Sequence, residues 1–336
     1  MQLPSDVQRA GDVPWAGIPS LRELDSELRE VRDLIRQTLV AAPTAGELAA
    51  LYDYLCVRSG KMIRPGLVLL AGRCCGQTTT DHLKAAAVVE MIHTATLLHD
   101  DVIDDGQRRR GAPTINSLCG NESAVLLGDF VLSRVFKMAA DFTPEVAKVI
   151  AQTAVRVCEG ELRQVLQKRN WQLDEAEYID IITEKSAAFF SGCCQLGAML
   201  AGASQERIEA LSRYGLDAGI AFQITDDVLD ITGDERQMGK AAQNDFDTSK
   251  LTLAAIHLLA HTDKARRQTV QAMLESPAES KAELAHLLQF HGSLDYARRQ
   301  ARSYVAKALH ALNPLPQGPA KEALGEIAQF MVDRTN

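Results

Sequence analysis

Two short acidic runs are the residues best equipped for chemistry. The first, Leu97-Leu98-His99-Asp100-Asp101-Val102-Ile103-Asp104-Asp105, ends an apolar segment that predicts a helix from about Ala85. Asp100 and Asp104 are four apart, so their carboxylates stack on one helix face about one turn from each other. Asp101 is rotated ~100° from Asp100. Carboxylates this close repel unless a cation lies between them, and the negative end of the helix dipole adds to the repulsion. A solvated acidic helix end is the bland alternative. Four aspartates closing so apolar a helix against its own dipole argue against it. The second run, Phe222-Gln223-Ile224-Thr225-Asp226-Asp227-Val228-Leu229-Asp230, repeats the geometry: Asp226 and Asp230 share a face, with Gln223 one turn below. Facing each other across a cleft, the two runs would form an oxygen-only site suited to Mg²⁺, which keeps waters and is shared with substrate phosphates.

Cations are spaced to match. Lys61 and Arg64 sit in Gly60-Lys61-Met62-Ile63-Arg64-Pro65, a loop-to-helix junction where Pro65 suits the first turn and Arg64 is biased out of the α region. Arg108, Arg109 and Arg110 follow the first aspartates, and Lys185-Ser186, Lys240 and Lys250 come later. Each alone reads as a surface charge. Together they supply the arginine forks and lysine point charges that diphosphate recognition needs. His93 lies two turns before Asp100 on nearly the same face; alone it is a core or capping histidine, and its alignment makes it a ligand candidate. Ala95 and Thr96 are small where this helix otherwise carries Val, Ile, Met and Leu. They permit either close helix packing or a deep apolar pocket beneath the aspartates.

The elements that must hold these residues read as helices. Residues 1–19 lack periodicity and are rich in Pro and Gly, which predicts a flexible arm ahead of one domain over 20–336. A capping box, Ser20-x-x-Glu23, opens a helix with Leu21, Leu24, Leu28, Val31 and Ile35 in one stripe. Thr44-x-x-Glu47 opens the next, and the pattern persists to Leu324, Ile327, Ala328 and Met331. Aromatics are only 5% and no strand-length segment alternates. The fold class is all-α: one large helical domain of ten or more helices.

The 336 residues include 46% apolar and 24% charged, an ordinary globular balance that excludes disordered and low-complexity classes. Thirty-six basic against 44 acidic residues give −8, which argues against a nucleic-acid footprint and leaves anion binding to local cations or metal. Seven cysteines show no zinc spacing, and the adjacent pairs Cys74-Cys75 and Cys193-Cys194 read as reduced thiols of a cytoplasmic protein. No run approaches 18 apolar residues, and no signal-peptide pattern is present.

These motifs together resemble the trans-isoprenyl diphosphate synthases, the polyprenyl synthetase family, over about Leu21 to Arg334. GKMIRP, LLHDDVIDDGQRRRG and FQITDDVLD carry the likeness, and EMIHTATLLHDDVIDD with GNESAVLLGDF is most like long-chain members such as octaprenyl diphosphate synthases. The resemblance implies an isoprenoid-synthase fold with a central apolar cavity, a homodimer, and three Mg²⁺ per active site. It implies condensation of isopentenyl diphosphate with an allylic diphosphate to a hexaprenyl-to-decaprenyl product for quinone side chains, with peripheral membrane proximity on release. It places Asp100, Asp104, Asp226 and Asp230 on metal, with Asp101 and Asp227 in support. Lys61, Arg64, His93 and Arg110 fall to isopentenyl diphosphate, and Arg109, Lys185, Ser186, Gln223, Lys240 and Lys250 to the allylic diphosphate. Ala95 and Thr96 match the chain-length pocket. The loop over residues 239–254 departs from the family pattern at two glycines and a proline but keeps Lys240, Asp245 and Lys250. Three alternatives accompany this reading: a shorter-chain geranylgeranyl synthase, a class I terpene cyclase, and a non-catalytic subunit. Asp226 to Asp230 lacks the cyclase Ser-x-x-x-Glu pattern, and non-catalytic subunits lose aspartates that all stand here.

Overall fold

Apolar stripes at helical spacing, closed by polar caps, explain most of the element boundaries. The computed structural model describes residues 23–40, 47–57, 61–109, 112–232, 250–275 and 277–333. Among these are fifteen α-helices: α1 (Asp25–Val40), α2 (Glu47–Val57), α3 (Ile63–Cys75), α4 (Thr80–Ile103), α5 (Ile115–Cys119), α6 (Asn121–Ala139), α7 (Pro144–Leu166), α8 (Glu175–Ile182), α9 (Ala188–Leu200), α10 (Gln205–Thr232), α11 (Leu253–His261), α12 (Lys264–Glu275), α13 (Pro277–Phe290), α14 (Ser293–Ala311) and α15 (Pro319–Asp333). The all-α expectation holds. Its one addition is a ribbon of two-residue strands, β1 (Arg108–Arg109) and β2 (Ala112–Pro113), paired antiparallel.

Local chemistry accounts for several ends. Thr143 accepts from the Val146 N–H with Pro144 in the first turn of α7, and Asp174 with Glu177 forms a capping box on α8. Helix α4 starts at Thr80, five residues before the expected Ala85, because Thr79 and His82 cap it reciprocally. The predicted bias of Arg64 out of the α region is overridden: Arg64 is helical, and Met62 before it takes the left-handed conformation (φ 53°). Ser20, Leu21 and Thr44 of the two predicted caps lie outside the described residues.

Helices α3, α4 and α9 pack as the centre of the larger core, where Leu67, Val68, Leu69, Val88, Met91, Phe189 and Phe190 are buried. The approach of α3 to α9 needs glycine: a Cβ on Gly197 would strike the Val68 carbonyl. A second core gathers α10, α11 and α14 around Ile224, Leu258 and Leu294. At 1.5 Å per residue, α4 and α10 run roughly 36 and 42 Å, so the bundle depth is available below their C-terminal aspartates. Among the described residues no helix is long and apolar enough to cross a membrane.

Candidate active site

A cleft of about 660 Å³ opens among the start of α3, the C-terminal half of α4, and α7, α9 and α10. Asp100 faces it from α4 and Asp226 from α10, so the two acidic runs occupy opposing walls. Burial, then the nearby Glu161 carboxylate, push Asp100 up to about 6, against the opposing pull of Lys185 and Arg109. Asp104, one turn on at the end of α4, accepts from Lys250 Nζ at 3.0 and 3.1 Å, with Lys168 Nζ at 3.9 Å. Lys250 therefore reaches across from the segment before α11 to the first acidic run.

The middle aspartate of each run points elsewhere. Asp101 is buried and held by Arg109, whose Nε and Nη2 both lie 2.8 Å from Oδ1. The β1–β2 ribbon presents that arginine, while Asn116 Nδ2 fixes the Asp101 carbonyl at 3.1 Å. Asp101 opens on a smaller, mostly apolar cavity across α4, of about 90 Å³. On α10, Asp227 accepts from Tyr178 Oη at 2.6 Å and Gln223 Nε2 at 2.9 Å, and Ser186 Oγ donates to Gln223 Oε1 at 2.6 Å. Burial raises Asp227 to about 6 despite both donors, and burial with the facing carboxylate holds the Tyr178 phenol well above its ordinary range. Asp230 is half-buried one turn beyond Asp226.

Between α8 and α9 the chain makes one π-helical turn, Thr183–Ala187, a local irregularity that often marks functional sites. It places Lys185 and Ser186 in the cleft. Lys185 Nζ bonds Glu161 Oε2 at 2.5 Å and Gln164 Oε1 at 2.6 Å, and Arg156 grips Glu184 through two bonds of 2.6 and 2.9 Å. Gly160 lets α7 approach this turn; a Cβ there would strike the Lys185 backbone.

Lys61, Arg64 and His93 gather at the opposite end of the cleft. The Arg64 guanidinium lies 4.9 Å from the Phe189 ring centre and 5.2 Å from that of Phe190, and His93 meets Phe189 edge-on at 6.5 Å. Phe189, Phe222, Val157 and Leu162 make the apolar lining. Thr96 lines the cleft, whereas Ala95 is fully buried outside it. Arg110 and Lys240 lie outside the described residues, as does all of the 239–254 loop before Lys250.

Sequence reasoning missed Glu161, Gln164, Lys168 and Tyr178. Glu161 and Gln164 carried a usable signal, two polar groups three apart beside Gly160 in mid-helix. Tyr178 and Lys168 carried none. Among the described residues no three His, Cys, Asp or Glu side chains converge into a ready-made metal cage. Two two-carboxylate arms with oxygen-only donors nevertheless fit Mg²⁺, which binds through one or two carboxylates plus water and substrate phosphate. Asp100, pushed up towards neutrality by burial and its acidic neighbours, is the kind of carboxylate a divalent cation would relieve.

Residues 45–290 match the family model for polyprenyl synthetase, well over half of the chain. The short chain isoprenyl diphosphate synthase of Methanothermobacter thermautotrophicus is 33% identical over 92% of this chain and 95% of its own. The octaprenyl diphosphate synthase of Escherichia coli is 35% identical over 84% and 88%. The Caulobacter crescentus polyprenyl synthase crystallised with calcium and isoprenyl diphosphate superposes with a TM-score of 0.88 at 32% identity, covering 94% of this chain and 97% of that one. On these likenesses, with two acidic arms facing one cation-lined cleft, the chain belongs to the polyprenyl synthetase family and is a prenyltransferase.

Proposed function

We propose that the protein is a Mg²⁺-dependent synthase that condenses isopentenyl diphosphate with an allylic diphosphate, extending to an all-trans hexaprenyl-to-decaprenyl product for quinone side chains. The observation that carries this reading is the single cleft in which Asp100 and Asp226 oppose each other over an aromatic and aliphatic lining. Asp100, Asp104, Asp226 and Asp230 would hold up to three Mg²⁺, which, when bound, supply the charge neutralisation that lets the allylic C–O bond ionise.

The chain's own residues do the rest. Arg109, Lys185, Ser186, Gln223 and Lys250 bind the allylic diphosphate together with Lys240 and orient its leaving oxygen. Lys61, Arg64 and His93, with Arg110, hold isopentenyl diphosphate so that its double bond lies against the allylic carbon, where positioning replaces any protein nucleophile. Phe189, Phe222 and Leu162 exclude water from the carbocation. Once the C–O bond has broken, the isopentenyl double bond attacks the allylic cation to form the new C–C bond, and the departed diphosphate takes the proton whose loss restores the alkene.

Similar identity to short-chain and octaprenyl enzymes leaves product length to the cleft. There Thr96 offers a small hydroxyl side chain rather than a ring one turn below Asp100, which supports a tail that passes this level. A homodimer belongs to the proposal. Its support is the apolar surface of Leu126 and Phe136 on α6, 67% and 69% exposed. One functional unit over 20–336 with an arm at 1–19, and a cytoplasmic setting for the seven cysteines, complete it. Incubating the protein with labelled isopentenyl diphosphate, an allylic primer and Mg²⁺ and sizing the products tests the reading; no product, or full activity in EDTA, overturns it.

A further inference from the structure

The second acidic run ends in a hydrogen-bond chain that leads away from the cleft. Tyr178, at 3% exposure, donates to Asp227 Oδ2; Gln223 Nε2 donates to Asp227 Oδ1; and Ser186 Oγ donates to Gln223 Oε1. Distances of 2.6, 2.9 and 2.6 Å leave little slack. An amide can turn over and exchange its carbonyl for its NH₂. Here both ends are claimed, and the direction is dictated by Asp227, an acceptor when ionised, which requires the nitrogen end to face it. The carboxylate in turn is fixed by the phenol, a 2.6 Å bond from a side chain that is itself buried. One N–H of Gln223 is thereby spent on Asp227 and the other is left for the cleft, which Gln223 lines. A donor at that point suits an anionic oxygen; a flipped carbonyl would repel one.

We infer that Tyr178 is a positioning residue for the allylic diphosphate: through Asp227 it holds the Gln223 amide with an N–H towards the cleft. Tyr178 touches neither substrate, being absent from the cleft lining. The inference rests on the proposed function, because it takes the ligand at Gln223 to be a diphosphate.

The test separates linkage through Gln223 from general support of α8. Tyr178→Phe keeps the ring and removes one hydroxyl. Calorimetry with inorganic pyrophosphate and Mg²⁺ should show binding weakened about tenfold, the size of one hydrogen bond to a charged group. The allylic KM should rise in parallel, with the isopentenyl diphosphate KM unchanged. In a Gln223→Ala background the same substitution should cost nothing further, because its target is gone. Wild-type affinity in Tyr178→Phe, an undiminished loss in the Gln223→Ala background, or equal damage to both substrates would each overturn the inference. Asp227→Asn, carried through the same two backgrounds, reads the same linkage if Tyr178→Phe fails to fold. Should the wild-type protein bind no magnesium pyrophosphate, the reading of the cleft fails rather than the placement of Tyr178.

Discussion

Gly160→Ala tests how closely the position of Lys185 is set by packing. The added Cβ would lie 2.5 Å from Lys185 Cα and 2.7 Å from the Glu184 carbonyl carbon, with the Lys185 nitrogen closer still. All three are backbone atoms, so no side chain can swing aside. Restoring ordinary van der Waals separation requires the π turn to retreat by about 1 Å. Overpacking of this kind costs roughly 1–3 kcal/mol, which for a chain of this size lowers Tm by roughly 1–4 °C. The same displacement moves the ammonium group of Lys185 and the hydroxyl of Ser186 off their targets, and a 1 Å error in a positioning group costs on the order of 10²-fold in rate. Gly192→Ala is the control: the three atoms its Cβ would meet first all belong to the Thr153 side chain, also between α7 and α9. Thermal melts and steady-state assays with labelled isopentenyl diphosphate should show both variants destabilised but only Gly160→Ala deficient in turnover and in allylic KM. If Gly160→Ala turns over as well as Gly192→Ala at equal occupancy of the folded state, the π turn does not set the active geometry.

Three further outcomes follow from the same geometry. Thr96→Phe should shorten the product, because the ring enters the cleft, whereas Ala95→Phe should lower Tm by overpacking a fully buried site with about 1–3 kcal/mol of damage; product sizing and melting of both variants decide it, and unchanged products from Thr96→Phe refute the tail path. In metal-free protein Asp100→Asn should stabilise at pH 7. The folded Asp100 carboxyl titrates at about 6, above the ordinary carboxylate range, so it disfavours the fold once ionised; the gain, up to about 3 kcal/mol by the shift of roughly two units, should shrink as pH falls through 6 and vanish below about 4, as melts in EDTA would show. Lys250→Ala should raise the allylic KM several-fold yet change stability by under ~1 kcal/mol, since its partly exposed pair with Asp104 contributes little alone; a large stability loss with an unchanged KM would make Lys250 structural.

The legible part of this protein is what local spacing controls. Helices α4 and α10 could be read from apolar segments ending in paired aspartates, because Asp100/Asp104 and Asp226/Asp230 share faces by the 3.6-residue period alone. The cation set was legible only as residue types. That Arg64 would be steadied by Phe189 and Phe190, or that Arg109 would spend itself on Asp101, depends on contacts between segments far apart in sequence. Spacing also could not separate Ala95 from Thr96. They differ by one residue, ~100° around the helix, and only the packing of α6 against α4, close enough that a Cβ on Gly128 would strike His99, shows which of the two faces the cleft. The π turn was invisible because its sequence, Thr183 to Ala187, is an ordinary helical one, whereas its contacts with Gly160 and Arg156 come from α7, distant in sequence.

The two acidic runs divide their carboxylates in the same way. In each, the outer pair shares one helix face, with Asp100 and Asp226 lining the cleft, while the middle aspartate is turned about 100° and consumed within the protein: Asp101 by Arg109, Asp227 by Tyr178 and Gln223. A run with all carboxylates facing one cleft would carry more like-charge repulsion than the fold could hold without cations. Diverting the middle one lowers that repulsion and converts the spare carboxylate into an anchor for a group that does face the cleft, Arg109 in one case and Gln223 in the other. The remaining acids are balanced by lysines from other elements, Lys185 on Glu161 and Lys250 on Asp104. These are the same lysines proposed to receive the diphosphate. Arrival of an anionic substrate would then exchange partners, each lysine passing from a carboxylate to a phosphate oxygen, while divalent cations, which Asp100, Asp104, Asp226 and Asp230 would hold, would offset the charge left on the acids, so that little uncompensated charge would be created in a largely buried site.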